Sequence, residues 1–443
     1  MAKSNLPGEE KTHMGRSSNR FQTKLVPSHR QWAPQNQKWK KQQKRRGRRS
    51  RQVLVAFCLM TLVATLLVSQ GNGVVGAFAA DTFRATFGPT ITAQVESWYL
   101  GLSDEVHQIQ YQLNGKRVAS PWKVKATPAM IPGSMASAVG TQSTISPMSL
   151  TSIPPGIRPA VSGEGVWTVL DTASPPHATL PLVAKAFVRP DPSHPYAIVT
   201  LLQFDTRFAL LHMVAGISQP GGPIGKYGSG IIPSTEQNGN ALLAVLNGGF
   251  KYADGQYGMA AHGVVYVPPQ QRAATLAVTK EGKVLLGAWG VDPQLTRSNT
   301  DLAAWRQNAA LLINNGVINP LTQDGAAWGG TILNQAYTWR SGIGITAQHT
   351  LVYAAGDTLT AQTLAEALRS AGAVMAMQTD INPFWVRAFL YNRMSNGTLS
   401  IDKLNPAMQG NGTEYLHGAV RDFFYLTRLV PPPTGKSLGG VRP

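Results

Sequence analysis

Cysteine is almost missing: Cys58 is the only one in 443 residues. No disulfide can form within the chain. Cys58 lies inside an apolar run, so no thiol is left for the rest, and cysteine-nucleophile chemistry is excluded. Charge is scarce too, at 14% of residues, and the acidic sign is the scarcer, with 22 Asp and Glu against 40 Lys and Arg. There is no P-loop, no G-x-S-x-G elbow, no H-E-x-x-H and no Cys pair. Nucleotide, serine-hydrolase and zinc-protease chemistry therefore have no signature here. His262, His349 and His417 are far apart without ligand-like spacing and read as structural or surface residues, so no metal set is assigned and no cofactor is named.

The charge that is present is unevenly spread. Fifteen Lys and Arg and two Glu fall between Met1 and Arg51, so thirteen of the eighteen net positive charges sit in that tail. Its densest block, Lys38–Arg51, cannot bury enough apolar surface to fold alone, so residues 1–51 read as disordered. The next segment, Val53–Val68, holds sixteen residues without a charge. At about 1.5 Å per residue that is only ~24 Å, and continuing to Val75 reaches the roughly 30 Å of a bilayer core. The pattern predicts a transmembrane helix over 52–76, with the basic tail held in the cytoplasm and touching anionic lipid rather than nucleic acid. A cleaved signal peptide is the rival, because Ala77-Phe78-Ala79 has the form of a cleavage site. The long basic region favours an uncleaved anchor. Either way the chain after Asp81 is extracytoplasmic, and the uncleaved anchor makes this a single-pass cell-membrane protein.

Beyond the membrane, residues 81–117 read as a helical stalk, since Val95, Tyr99, Leu102, Val106, Ile109 and Leu113 recur at spacings of three and four. The stripe is expected to pack on a partner helix or on the domain; an exposed stalk and a dimer seam fit it equally, and the oligomeric state stays open. Residues 118–165 turn to Pro, Ser, Thr, Ala and Gly and read as a flexible linker. Residues 431–443 read as a disordered tail. Between them, 166–430 shows strand and hairpin signals. Leu242–Leu246 runs into Asn247-Gly248-Gly249, and Thr275–Thr279 and Lys283–Leu286 flank the turn Lys280-Glu281-Gly282. Gly342–Thr346 and Thr350–Ala354 form another expected hairpin. One helix is clear, with Thr360 as N-cap and Gly372 as terminator, followed by the strand Ala373–Thr379. The expected fold is a mixed α+β domain, its sheet largely antiparallel and its helices few.

Candidate site residues lie at strand ends: Asn247-Gly248-Gly249-Phe250, Asn314-Asn315-Gly316, Arg340 before Ser341-Gly342-Ile343-Gly344, and Asp380 after Ala373–Thr379. The glycines after Asn247 let backbone approach a ligand closely. In order, these elements resemble the phosphodiester glycosidase family over Val183–Leu426. NGGFK at Asn247–Lys251 is similar to its N-A-G-F-F, AALLINNG at Ala309–Gly316 to its G-P-x-L-x-x-x-G, and RSGIG at Arg340–Gly344 to its R-T-A-I-G. Met377-Gln378-Thr379-Asp380 matches the approach to its L-D-G-G-G-S, where the chain departs: Ile381-Asn382-Pro383-Phe384 replaces the glycines and serine.

The resemblance implies a hydrolase that cleaves a sugar-1-phosphodiester related to envelope glycans or glycolipids, with a carbohydrate or phosphosugar as its partner. A phosphate monoester leaves well without a proton, so one carboxylate suffices where ordinary glycosidases need two. On this reading Asp380 is the catalytic carboxylate, and Arg340 clamps the phosphate with its planar fork. Asn247, Gly248, Gly249 and Asn315 bind substrate, and Trp385 either stacks on a sugar face or packs in the core. A non-catalytic glycan- or phosphosugar-binding module is the alternative, and a structural envelope protein the third.

Overall fold

The computed structural model describes residues 104–122, 145–174, 177–237, 241–329, 337–394 and 396–429. These all belong to one unit, Leu66–Pro443. The basic tail, the 52–76 run, the first part of the stalk and the 431–443 tail lie outside the described residues. Among the described residues no helix is long and apolar enough to cross a membrane.

Apolar strands separated by Gly-rich turns assemble into three sheets, and each strand pairing described is antiparallel. The largest has eight strands, in order β1 (Thr168–Thr172), β2 (Pro181–Val188), β3 (Val199–Phe204), β14 (Leu351–Leu359), β13 (Thr338–Thr346), β15 (Ala373–Ile381), β11 (Leu311–Asn314) and β12 (Val317–Ile318). A five-stranded sheet runs β7 (Val264–Val267), β6 (Met259–Ala261), β10 (Leu302–Asn308), β8 (Ala274–Thr279) and β9 (Val284–Ala288). The other runs β17 (Leu399–Lys403), β16 (Ala388–Arg393), β5 (Leu242–Asn247), β18 (Phe423–Arg428) and β4 (Ala209–Val214).

The expected hairpins form. β8 and β9 join through Gly282 at φ 84°, a left-handed conformation that glycine adopts without a Cβ clash. The expected helix spans Ala361–Ser370, with Thr360 as N-cap accepting from the N–H of Thr363. It covers one face of the large sheet, where Leu364 and Leu368 pack with Val199, Leu201, Val352 and Ala354. The opposite face meets both smaller sheets, and Leu182, Leu202 and Tyr353 share a core with Ala244, Leu246, Leu276 and Phe424. Residues destined for chemistry stand at the end of this inter-sheet core.

Two segments differ from the expectation of a stalk packed through its apolar stripe and of a flexible linker. Residues 104–113 are helical (α1), but their apolar stripe faces outward: Val106, Ile109 and Leu113 are exposed, Leu113 by 81%. The helix instead meets the domain through polar side chains, with Asp104 accepting from the Tyr196 hydroxyl at 2.8 Å and His107 Nδ1 lying 3.4 Å from Thr358 Oγ1. Residues 145–165 belong to the domain. Met148 and Ile153 are buried, the Ile153 N–H donates to the carbonyl of Gly165, and Arg189 pairs with buried Glu164 at 2.8 Å while donating to the carbonyls of Ile157 and Pro159. An extended segment anchored by two isolated apolar residues has no periodicity, so its composition reads as a linker. A domain beginning at Gly163 loses Met148, Ile153 and two carbonyl acceptors of a buried guanidinium. It should be less stable than one beginning at Ile145 by about 3 kcal/mol or more, measured by urea unfolding.

Candidate active site

The three sheets meet around Gly248 and Gly249. Arg306, from mid-β10, is fully buried and forks onto Asp422, with Nε to Oδ2 at 2.8 Å and Nη2 to Oδ1 at 3.3 Å. Its remaining N–H groups donate to the carbonyls of Phe250, Gln307 and Tyr257. The Asp422 carboxylate also accepts from the N–H of Gly249 at 3.0 Å. A Cβ on Gly248 would lie 2.1 Å from Asp422 Oδ2, and one on Gly249 2.8 Å from Arg306 Cζ. The close approach expected of these glycines is therefore made to an internal ion pair.

Asn247, at the end of β5, is buried and saturated. Its Oδ1 accepts from the Tyr353 hydroxyl at 2.7 Å and the Arg387 N–H at 3.2 Å, while Nδ2 donates to the Gly248 carbonyl and Thr379 Oγ1. An amide offers two donors and two acceptors. All four are used, so Asn247 positions its neighbours and leaves nothing for substrate.

Asp380 owes its place to a bulge. Arg340 pairs with Ile381 and Gly342 with Gln378, so Ser341 opposes both Thr379 and Asp380. The extra residue turns Asp380 onto the inter-sheet side. Ser341 Oγ accepts from the Asp380 N–H, and Asn308 Nδ2 donates to the carbonyls of Gln378 and Thr379. The carboxylate is 5% exposed; Oδ1 accepts from the Ile381 N–H and Oδ2 from Arg421 Nη2 at 2.6 Å. Burial pushes its pKa up to about 7, despite the opposing pull of Arg421.

Arg421 also donates to the Gly249 carbonyl at 2.7 Å and lies 4.5 Å from the Trp385 ring centroid, while its Nε is buried without a hydrogen-bond partner among the described residues. Lys251 Nζ and Arg387 Cζ approach the same half-buried ring at 5.4 and 5.8 Å. Three cations thus gather round Trp385, beside one carboxylate that titrates near neutrality.

Asn247, Gly248, Gly249, Asp380 and Trp385 come together, and Arg340 and Asn315 do not. Arg340 is 1% exposed and directed to the helix side of the sheet, where it donates to the carbonyls of Leu359 and Trp328 and to Gln378 Oε1. No face of that guanidinium is open to a phosphate, and burial lowers its pKa to about 10. The bulge is the reason: it places Arg340 and Asp380 on opposite faces of adjacent strands. Asn315 occupies the exposed turn between β11 and β12, its N–H against Met375. Met375 is five residues from Asp380 along β15, or ~17 Å at the usual rise. Arg421, Asp422, Arg306 and Arg387 were not singled out in the sequence. Their one signal is charge beside or inside apolar strand runs, VRDFF, AAWRQN and FWVRAF.

Comparison with known proteins bears on this arrangement. Residues 240–380 match the phosphodiester glycosidase family model. The resemblance read from the four sequence elements is therefore shown, and all four lie inside the match. It ends at Asp380, where Ile381–Phe384 replaces the glycines, and leaves Arg387, Arg421 and Asp422 outside, so the similarity to the family is shown for residues 240–380 alone. Asn382, in place of a glycine, still holds φ 81°, which Asn tolerates better than most residues. No curated protein matches. Among solved structures, the zebrafish N-acetylglucosamine-1-phosphodiester alpha-N-acetylglucosaminidase catalytic domain, auto-inhibited by pro-peptide, is 16% identical, with a TM-score of 0.38 over 58% of this chain and 86% of that one. A hypothetical protein from Synechocystis is 12% identical at TM-score 0.33, covering 58% and 67%, and a putative exported protein from Burkholderia pseudomallei is 12% identical at 0.24, covering 52% and 74%. Likenesses this distant carry no functional weight.

Two outcomes follow from the geometry. Gly248→Ala should cost about 3 kcal/mol or more in urea unfolding, because the methyl group displaces one partner of a buried ion pair. Asp380 is raised on folding from about 4 to about 7, so the stability it contributes is complete below pH 4 and is lost as pH rises through 7. Between these limits wild type should lose up to about 1.4 kcal/mol per pH unit relative to Asp380→Asn, and the two melting curves should converge near pH 4.

Proposed function

We propose that this protein is a membrane-anchored, extracytoplasmic hydrolase that cleaves a sugar-1-phosphodiester of an envelope glycan or glycolipid. The observation that carries the reading is Asp380, a buried carboxylate poised near pH 7 beside Arg421, Lys251, Arg387 and Trp385. The family match to residues 240–380 supports glycosidase-type chemistry. The basic tail and the Val53–Val75 run support the anchor, and through it a position at the cell membrane.

In this mechanism the bond between the anomeric carbon and the phosphate oxygen breaks, and the phosphate monoester departs with the electron pair. A water oxygen bonds to the anomeric carbon, and its proton passes to the Asp380 carboxylate and then to solvent. The phosphate needs no proton to leave, so a second carboxylic acid is unnecessary. Arg421 takes the clamping role expected of Arg340: its planar fork matches phosphate oxygens, and Trp385 and Gly249 hold it in place. Saturation of Asn247 and the existing Asp380–Arg421 pair favour the second reading, a module that binds phosphosugars without turnover.

Hydrolysis of a chromogenic sugar phosphodiester by the purified protein separates the two. The enzyme reading expects kcat/KM to rise with pH through about 7, and Asp380→Asn to lower turnover by about 10²–10⁴-fold while binding survives. Arg421→Lys should raise KM more than it lowers kcat. A wild type that binds such substrates and never cleaves one leaves the binding module.

A further inference from the structure

A cavity of about 270 Å³ lies between helix α1 and the domain, apart from the Arg421–Trp385 cluster. His107 and Tyr111 of the helix form one wall, and Tyr196, Trp339, Asp357 and Asn405 of the domain form the rest. We propose that this cavity is a second binding site, for a single saccharide unit.

Three observations point to a ligand of that class. First, the wall carries a half-buried carboxyl, Asp357, whose pKa is raised by burial and held back by His107, the Thr358 N–H and the Trp339 side chain. Asp357 Oδ1 accepts from the Thr358 N–H at 2.7 Å. Second, Thr358 itself sits at φ 58°, a left-handed conformation costly for a β-branched residue. Strain of this kind persists only where surrounding structure over-determines it, and it concentrates at ligand sites. Third, the lining mixes aromatic rings with a carboxyl, three amides, an imidazole and the Arg117 guanidinium. A pyranose presents an apolar face to stack on Tyr or Trp and vicinal hydroxyls for planar polar side chains, so it uses every group. A wholly apolar ligand would strand Asp357 and Arg117, and a phosphate drawn to Arg117 would also face the Asp357 carboxylate. The volume lies just below the roughly 300–1,000 Å³ of drug-sized sites, which suits one sugar ring rather than a chain.

The cavity opens on the inter-sheet side of the large sheet, the side that holds Asp380. Tyr353, which reaches Asn247, and Asp357 lie four residues apart on β14 and share a face. In the adjoining strands Gly356 pairs with Arg340 and Arg340 with Ile381. Two strand spacings and an offset of two residues along the strands put the backbones of Asp357 and Asp380 about 12 Å apart. A glycan carrying the scissile bond over Asp380 would thus place a neighbouring sugar within reach of the cavity. The site itself stands whether or not Asp380 turns substrate over.

Saturation-transfer NMR on the full chain in detergent tests it, with glucose, galactose, mannose and their N-acetylamino forms as probes and inorganic phosphate as competitor. At least one monosaccharide should show transfer in wild type and in Asp380→Asn, undiminished by phosphate. Asp357→Asn and Tyr111→Ala should each weaken its binding by about tenfold or more, the loss of one charged hydrogen-bond partner or one stacking face. Leu113→Ala, on the outward side of the same helix, should leave it intact. Tyr111 is half-exposed, so Tyr111→Ala keeps its melting temperature and guards against a folding artefact in Asp357→Asn. No transfer from any of the six sugars overturns the proposal. So does binding that phosphate displaces, or binding that Asp380→Asn removes and Tyr111→Ala spares.

Discussion

The fold of this domain depends on the fork between Arg306 and Asp422. Arg306 comes from the centre of one five-stranded sheet, Asp422 leads into β18 of the other, and the Asp380 end of β15 lies beside them. A buried guanidinium is tolerable only when its charge is paired and its donors are used, and here each nitrogen has a partner. The chain after β5 must then pass close beside the pair without side chains. Gly248 and Gly249 meet that need, and in doing so they bring the Gly249 carbonyl to Arg421.

Arg421 and Asp422 are consecutive, so fixing one fixes the other. Asp422 anchors downward to Arg306 and upward to the Gly249 N–H, and Arg421 is carried to Asp380 and Trp385. The balance at Asp380 follows from burial against a single cation: desolvation outweighs the ion pair, and the carboxyl is held near neutrality. A fully solvated pair would keep it ionised and weakly basic, and an apolar pocket without Arg421 would keep it protonated at pH 7. Helix α1 is set by a different logic. Its polar edge meets the domain around a cavity while its apolar stripe faces out, the reverse of an ordinary amphipathic surface helix.

Much of the architecture was legible in the chain because its signals are local. The turn at Gly282, the Thr360 cap and the strand into Asp380 each follow from a few adjacent residues with fixed conformational preferences. Residues 145–165 were not legible as part of the domain, because Met148 and Ile153 bury themselves against partners distant in sequence. Of the residues that come together, Asp380, Asn247 and Trp385 are legible as candidates from strand ends and family likeness, although Asn247 is saturated by internal bonds. Arg421 was missed because a charge beside FFYL carries no mark of what it will face.

The sequence alone determined the antiparallel α+β character, the main hairpins and helix, the family likeness and the candidate carboxylate, since period, turn chemistry and short motifs act over a few residues. The tertiary structure decided which arginine serves that carboxylate. One extra residue in β15 turns Asp380 away from Arg340 and toward Arg421, forty-one positions later in the chain. A bulge reverses which face a side chain occupies, and its existence depends on the register of strands that only meet once the sheets have formed.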